Sequence, residues 1–320
     1  MLTVKETSSL VKLTPTRIKQ LLKENEGWNI QRSRGQSGFI KIPHETIRNF
    51  LDHKNLSYVS RVITIAVEKG GVGKTFLSTN VAVECSRRGA KVLLIDLDPE
   101  ACSTNTLLPE DMDYQKIKTV LEVFTHDLSF KSTAIPSRYQ GLDIVPCKGL
   151  ARRVEKHVIS ENPKYLIANK LEGLRDSYDL IMFDLPPSFS TLVSSAYLAC
   201  DEVIMPCMPT IYCEESVDLT ISDIKDEAKK YDAKIPKIKI LLNSFRNSEK
   251  ASRDTRHNVE IDFRDLLLPF EIGKTADVQN NINEGVTVFE GKAGKDIRND
   301  IRLLAEHICP LVKIDSPSNQ

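Results

Sequence analysis

The chain has no net charge, no long apolar run and no CxxC pair, and the last two absences each remove a class of function. Acidic and basic side chains balance at 44 each over 320 residues, so whole-chain charge argues neither for nor against a polyanionic partner. No segment approaches the roughly 20 consecutive apolar residues that a membrane span needs. The N-terminus lacks an apolar leader. The seven cysteines, at 85, 102, 147, 200, 207, 213 and 309, form no CxxC pair, and none is followed by histidine at metal-ligand spacing. That argues against zinc and iron–sulfur centres and leads us to expect free thiols in a reducing compartment. No tyrosine cluster occupies the tail, and no internal repeat or low-complexity tract occurs. What remains is globular: 41% apolar and 28% charged residues, enough for one large core with a small appendage. A soluble cytoplasmic protein is expected.

Charge is unevenly placed. Residues 1–60 carry ten Lys/Arg against five acids. Thr14-Pro15 reads as a helix cap followed by proline in the first helical position. Behind it Ile18, Leu21 and Leu22 make an apolar stripe, with Arg17, Lys19 and Lys23 outside. Glu26-Gly27 ends this helix. Trp28-Asn29-Ile30, a basic turn from Gln31 to Ser37, and Phe39-Ile40-Lys41-Ile42 read as a short hairpin. A further helix is expected from Glu45 to Leu51. Helices followed by a two-stranded wing suggest a winged helix-turn-helix over residues 1–54, and the pattern resembles DNA-reading domains of the MerR-like type. The alternative is a solvated helical cap. Residues 55–60 are expected to be a linker, 61–310 an α/β domain with a mostly parallel sheet, and 311–320 a flexible tail.

The strand Arg61–Val67 runs into Glu68-Lys69-Gly70-Gly71-Val72-Gly73-Lys74-Thr75, and a helix is expected from Thr75 to Arg88. Strand, glycine loop and helix is the context a P-loop requires. Gly70, Gly71, Val72 and Gly73 can turn successive backbone N–H groups into one concavity at a helix N-terminus, which binds phosphate oxygens. Lys74 adds a point charge at the outer phosphates, Thr75 a hydroxyl for Mg²⁺, and Phe76 follows as the next lining residue.

Carboxylates follow at strand ends, where open α/β sheets bind ligands. Lys91–Leu97 is apolar enough to be buried on both faces and ends in Asp96-Leu97-Asp98-Pro99. Asp179–Leu185 is a similar strand, ending in Asp184 before Pro186-Pro187. Asp98 is the candidate to orient an attacking water. Asp96 is assigned to the magnesium shell or to its own loop, and Asp184 to Mg²⁺ through water.

The early lysine in KGGVGKT, with DLDPE and YDLIMFDLPPS, resembles the ParA/MinD family of deviant Walker A ATPases. The resemblance spans residues 61–308. It implies a Mg²⁺-dependent ATPase in which Lys69 reaches the phosphates of the partner subunit in an ATP-bound homodimer. From the residues alone, Lys69 could equally act within its own chain or face solvent. The family usually has glutamine where Glu100 stands. The resemblance also implies that Asn243, after the strand Ile238–Leu242, contacts adenine, with Pro269 to Ile272 as the other wall of the base pocket. A turn asparagine is the alternative for Asn243. Glu155 falls at a further family position.

The family's partition members bind DNA non-specifically as ATP dimers, and a ParB-like centromere-binding partner triggers hydrolysis. Members with an N-terminal module repress their own operon. The expectation is therefore a nucleoid-associated partition ATPase, with Arg246, Lys250, Arg253, Arg256, Arg264, Lys274, Lys292 and Lys295 as candidate phosphate contacts. The alternatives are a nucleotide-regulated repressor and a MinD-like membrane-associated ATPase. The latter needs an amphipathic C-terminal anchor. The segment Lys295–Ile308 looks instead like a helix packed on its own domain, so no stable membrane association is expected.

Overall fold

β-Branched and leucine-rich runs set the sheet. The computed structural model describes every residue except 33–39, 110, 114–115, 149–150, 211, 247, 291–293 and 315–320, and except the side chains of residues 151 and 152. The expected hairpin tip with Phe39, Lys292 and the end of the tail therefore lie outside the described residues. In chain order the strands are β1 (Leu2–Thr3), β2 (Gln31–Arg32), β3 (Ile40–Ile42), β4 (Leu56–Tyr58), β5 (Arg61–Ile65), β6 (Val92–Asp96), β7 (Ile135–Pro136), β8 (Leu142–Val145), β9 (Leu180–Asp184), β10 (Glu202–Cys207), β11 (Lys237–Phe245), β12 (Leu267–Gly273) and β13 (Leu311–Lys313). Eight of them form one sheet in the order β12-β11-β10-β5-β9-β6-β8-β7. All its pairs are parallel except β7–β8. β6 and β9 are buried along their whole length, as strands covered by helices on both faces must be. Their register sets Asp96 beside Asp184 at the carboxyl edge of the sheet.

Four helices meet where the N-terminal segment joins the sheet: α1 (Val4–Val11), α2 (Pro15–Glu24), α3 (His44–His53) and α4 (Lys74–Arg87). Thr14 caps α2 by accepting from the Arg17 N–H. α4 has no single apolar face: Phe76 through Ser86 are all buried. A helix buried all round is covered by neighbours on every side. Beyond the sheet, α4 is covered by the helix Lys295–Ile308, which buries Ile297, Ile301, Leu304 and Ile308. That apolar stripe is thus occupied within the chain. Among the described residues no helix is long and apolar enough to cross a membrane.

The N-terminal helices close the remaining side. Ile18, Leu21, Ile47, Phe50 and Leu51 belong to one continuous buried cluster with Leu77, Val81, Leu94, Ile301 and Leu304. Polar contacts reinforce the joint. Arg48 donates to the Gly89 carbonyl at 2.9 Å and to Asp179 at 2.7 Å. His44 Nε2 lies 3.1 Å from the Ala90 carbonyl, and burial lowers its pKa. Glu6 on α1 pairs with Arg302 at 2.9 Å, and Arg302 also reaches the buried Glu84 of α4 at 3.1 Å.

Three expectations need correction. The segment 55–60 is not a free linker: β4 pairs antiparallel with β13, and the buried Tyr58 donates to the Arg88 carbonyl at 2.8 Å. For the same reason the tail begins as a strand, since Leu311–Lys313 supply the partner ladder. Finally, not all thiols are free. Cys207 and Cys213 are joined, with Cα atoms 5.6 Å apart.

Candidate nucleotide site

The glycine loop lies between β5 and α4. Gly71 and Gly73 take φ of +73° and +87°, a region open to glycine and strained for other residues. A methyl group at Gly73 would also stand 2.9 Å from Asn243 Nδ2. The left-handed Gly73 starts α4 one residue earlier than expected, at Lys74. The loop opens on a cavity of about 540 Å³ lined by Gly70, Gly71, Gly73, Lys74, Thr75, Phe76, Asp98 and Glu100, and on its far side by Gln279, Asn281 and Ile282. Asn281 is buried, and its Nδ2 has no partner. A buried donor facing a cavity without a partner is costly unless a ligand or water satisfies it.

Lys74 is buried and turned inward, donating to the Lys69 carbonyl at 2.7 Å. Burial lowers its pKa, opposed by Asp184 and Asp98. A phosphate would offer that ammonium a better acceptor than a carbonyl. The Thr75 hydroxyl donates to Asp184 Oδ1 at 3.2 Å, and Ser103 donates to Asp184 Oδ2 at 2.5 Å. Asp184 thus stands directly behind the threonine hydroxyl, where it can hold a cation's water. Asp98 lines the cavity and accepts from the Glu100 N–H at 2.9 Å.

Of the two roles expected for Asp96, the magnesium shell or its own loop, its contacts are those of the loop. It is fully buried, away from the cavity lining. One carboxylate oxygen accepts from the Asp98 N–H at 3.0 Å, and the other accepts from Thr104 N–H at 2.9 Å and Thr104 Oγ1 at 2.6 Å. With both oxygens engaged, it fastens the loop that carries Asp98. Burial raises the pKa of both Asp96 and Asp184, and the charge of Asp184 raises Asp96 further. A nearby divalent cation reverses that cost for the pair.

Asn243 lies inside β11, not after it, because the strand continues to Phe245. Its Nδ2 donates to the Val72 carbonyl at 2.8 Å, bracing the glycine loop from below. It also lines a second cavity of about 280 Å³ with Phe76, Ile272, Gly273, Lys274 and Val278. Pro269 does not share that lining. It is exposed near the start of β12, and at about 3.3 Å per residue it sits some 10 Å along the strand from Ile272. Of the stretch Pro269 to Ile272 expected as a wall, Ile272 lines this cavity, and Gly273 to Thr275 continue the lining.

Lys69 leaves the cavity altogether. Its Nζ donates to Thr210 Oγ1 at 2.7 Å and lies 5.8 Å from the centre of the Tyr212 ring. Sequence reasoning missed Thr210, Tyr212, Ser103, Thr104 and Asn281. Ser103-Thr104, two hydroxyls opening the short helix Cys102–Leu107 just past the DLDPE segment, are the one pair a residue-level reading could have singled out.

A family model described as an AAA domain matches residues 60–237. The cell division protein PomZ of Myxococcus xanthus is 27% identical over 243 residues, 76% of each chain. The chromosome partitioning protein ParA of Caulobacter vibrioides is 27% identical over 217 residues, 65% of this chain and 80% of that one. The chain belongs to the ParA family of P-loop ATPases. A Cyanothece McdA structure in complex with ATP has the same fold, with a TM-score of 0.69 at 17% identity over 79% of this chain and 97% of that one. As a ParA-type protein the chain takes ATP and Mg²⁺, and the residues fit both. The amide-lined loop and Lys74 suit the phosphates, and Thr75 with Asp184 behind it suits the cation. Bound ATP supplies a γ-phosphoryl group for attack by water. The chain is thus a ParA/MinD-type ATPase involved in partition or positioning.

Proposed function

We propose that this ParA-family chain is a DNA-partition ATPase whose working state is an ATP-bound homodimer with Lys69 shared across the subunits. The single observation that carries this is the direction of the two loop lysines. Lys74 turns into its own cavity, whereas Lys69 turns out to the surface. A cation carried on the rim but pointing away from its own phosphates is placed for another chain's phosphates. Asp98 orients the attacking water within its own site, Lys74 and Mg²⁺ balance the phosphate charge, and Lys69 of the partner completes the set. The third phosphate is then the switch between monomer and dimer, and Mg²⁺ dependence follows from Thr75. Asn243 and its cavity are the proposed adenine site.

Two DNA modes belong to this reading. The ATP dimer binds duplex without regard to sequence, and a ParB-like protein stimulates hydrolysis and release on the nucleoid. The basic stretch expected to serve this mode is partly self-neutralised. Glu249 pairs with Arg246 at 3.8 Å and Lys274 at 3.1 Å, and Arg256 pairs with Glu271. Lys250, Arg253, Arg264 and Lys295 remain candidates. The second mode is operator binding through a winged helix-turn-helix. In support, α1 and α2 are joined by a tight turn with Lys12 at φ 52°, and α2 exposes Thr16, Lys19, Gln20 and Lys23. Operon autorepression is the corresponding role. The MinD-like alternative is less favoured because the C-terminal helix spends its apolar face on α4 and β12.

The test is binding of random-sequence duplex DNA with ADP, ATP and a non-hydrolysable ATP analogue, at several salt concentrations. Tight, salt-sensitive binding only with ATP or the analogue supports the proposal. Binding indifferent to nucleotide favours a repressor acting through residues 1–54, and no binding in any state overturns the DNA assignment.

A further inference from the structure

We propose that Thr210, with Tyr212 beside it, is a positioning residue that presents Lys69 to the partner subunit. This deepens the cross-subunit reading above and rests on it. A lysine side chain on a surface loop has many rotamers, and confining them costs affinity at the moment of docking. Here the confinement is already made. Lys69 Nζ donates to Thr210 Oγ1 at 2.7 Å, and the Tyr212 ring covers one side of the ammonium at 5.8 Å. Both partners come from the segment between β10 and the helix Cys213–Lys230, a different element from the glycine loop. That segment is anchored at its ends by the buried Cys207 and Cys213. An ammonium has three N–H donors and no acceptor. One is used on Thr210, and two remain for phosphate oxygens of a second chain. Thr210 and Tyr212 are themselves exposed, so the presented group lies on a surface a second copy can reach. The hydroxyl is the acceptor that matters, since a ring face is indifferent to the lysine's direction, whereas a hydrogen bond is not.

The experiment measures the dimer dissociation constant of the full chain by analytical ultracentrifugation, in Mg²⁺ and a non-hydrolysable ATP analogue. Five proteins are compared: the native chain, Thr210→Val, Thr210→Ser, Lys69→Ala, and the Lys69→Ala/Thr210→Val double variant that completes a double-mutant cycle. Losing one charge-assisted hydrogen bond that pre-sets the lysine weakens the dimer by about three- to thirty-fold. Thr210→Val is expected to show that loss and Thr210→Ser to restore it. On the Lys69→Ala background, Thr210→Val is expected to add nothing. An equal loss on that background means that Thr210 serves only the fold of its loop and overturns the proposal. So does an unchanged or tighter dimer in Thr210→Val. If Lys69→Ala by itself dimerises as the native chain does, the cross-subunit reading fails at its root, whatever Thr210 does.

Discussion

Replacing Gly89 by alanine drives a wedge into the joint between the N-terminal helices and the ATPase core. Gly89 follows α4 at φ +91°, and an added Cβ would stand 2.9 Å from Ile47 Cγ2 and 3.3 Å from Leu51 Cδ1. Two costs add. The left-handed backbone costs alanine ~1–2 kcal/mol, and overpacking a filled interior costs a further ~1–3 kcal/mol. Gly173→Ala is the control, because Gly173 has φ +70° with nothing within 4 Å of the new methyl. It incurs the backbone strain alone. For a chain of this size each kcal/mol lowers Tm by about 2 °C. Gly89→Ala is therefore expected to melt about 4–10 °C lower than the native chain, and Gly173→Ala about 2–4 °C lower. Scanning calorimetry distinguishes the outcomes. A single transition that moves further for Gly89→Ala shows residues 1–54 melting with the ATPase core. Equal shifts, or a separate small transition that alone responds to Gly89→Ala, would refute the shared core.

Other consequences concern the site. Asp98→Ala is expected to lower the hydrolysis rate by roughly 100-fold or more while nucleotide affinity, read by titration calorimetry, stays near the native value; a matching loss of affinity would mean that Asp98 binds and does not orient water. Asn243→Ala removes the support of the Val72 carbonyl and is expected to weaken ATP binding by about tenfold, the equivalent of one hydrogen bond; unchanged binding would dismiss it as a brace. Glu68 supplies a pH test. Burial, then the charge of Asp223, raises its carboxyl pKa to about 7. The folded chain thus holds a proton that the unfolded chain has released, and Glu68 makes stability fall as pH rises from its ordinary range towards 7. Glu68→Gln is expected to flatten that decline in urea midpoints taken between pH 5 and pH 8, and a slope equal to the native one would contradict it.

Much of the site was legible because phosphate chemistry demands consecutive residues. The glycine loop must follow a strand and open a helix, so Gly70 to Thr75 could be placed from their order alone. The carboxylates were legible because apolar runs buried on both faces have a carboxyl edge, and Asp98 and Asp184 stand at two such edges. The direction of each side chain was not. Asp96 and Asp98 are two residues apart, yet only Asp98 reaches the cavity. The turn after β6 lets Thr104 and the Asp98 N–H take both oxygens of Asp96. Pro269 lies outside the cavity lining, whereas Ile272 is in it, because a family position fixes a strand, not which of its residues reaches the cavity. The supposed linker failed for a longer-range reason: Leu56–Tyr58 look polar and loose until Leu311–Lys313, some 250 residues on, supply their ladder. The partners of Lys69 on the Thr210 segment are distant in sequence for the same reason.

Mixing two inactive variants tests the shared site most directly. Lys69→Ala loses the cation that a partner's phosphates need, and Asp98→Ala loses the water-orienting carboxylate of its own site. In a mixed dimer, the site on the Lys69→Ala subunit keeps its own Asp98 and receives Lys69 from the other subunit, so one complete site is rebuilt. With random pairing, half of the dimers are mixed and half of their sites complete, so an equal mixture should recover roughly a quarter of native ATPase activity. Recovery near that level, dependent on both proteins being present, is the result predicted for Lys69 acting across the dimer. A mixture no more active than either variant alone would place Lys69 in its own site and contradict it.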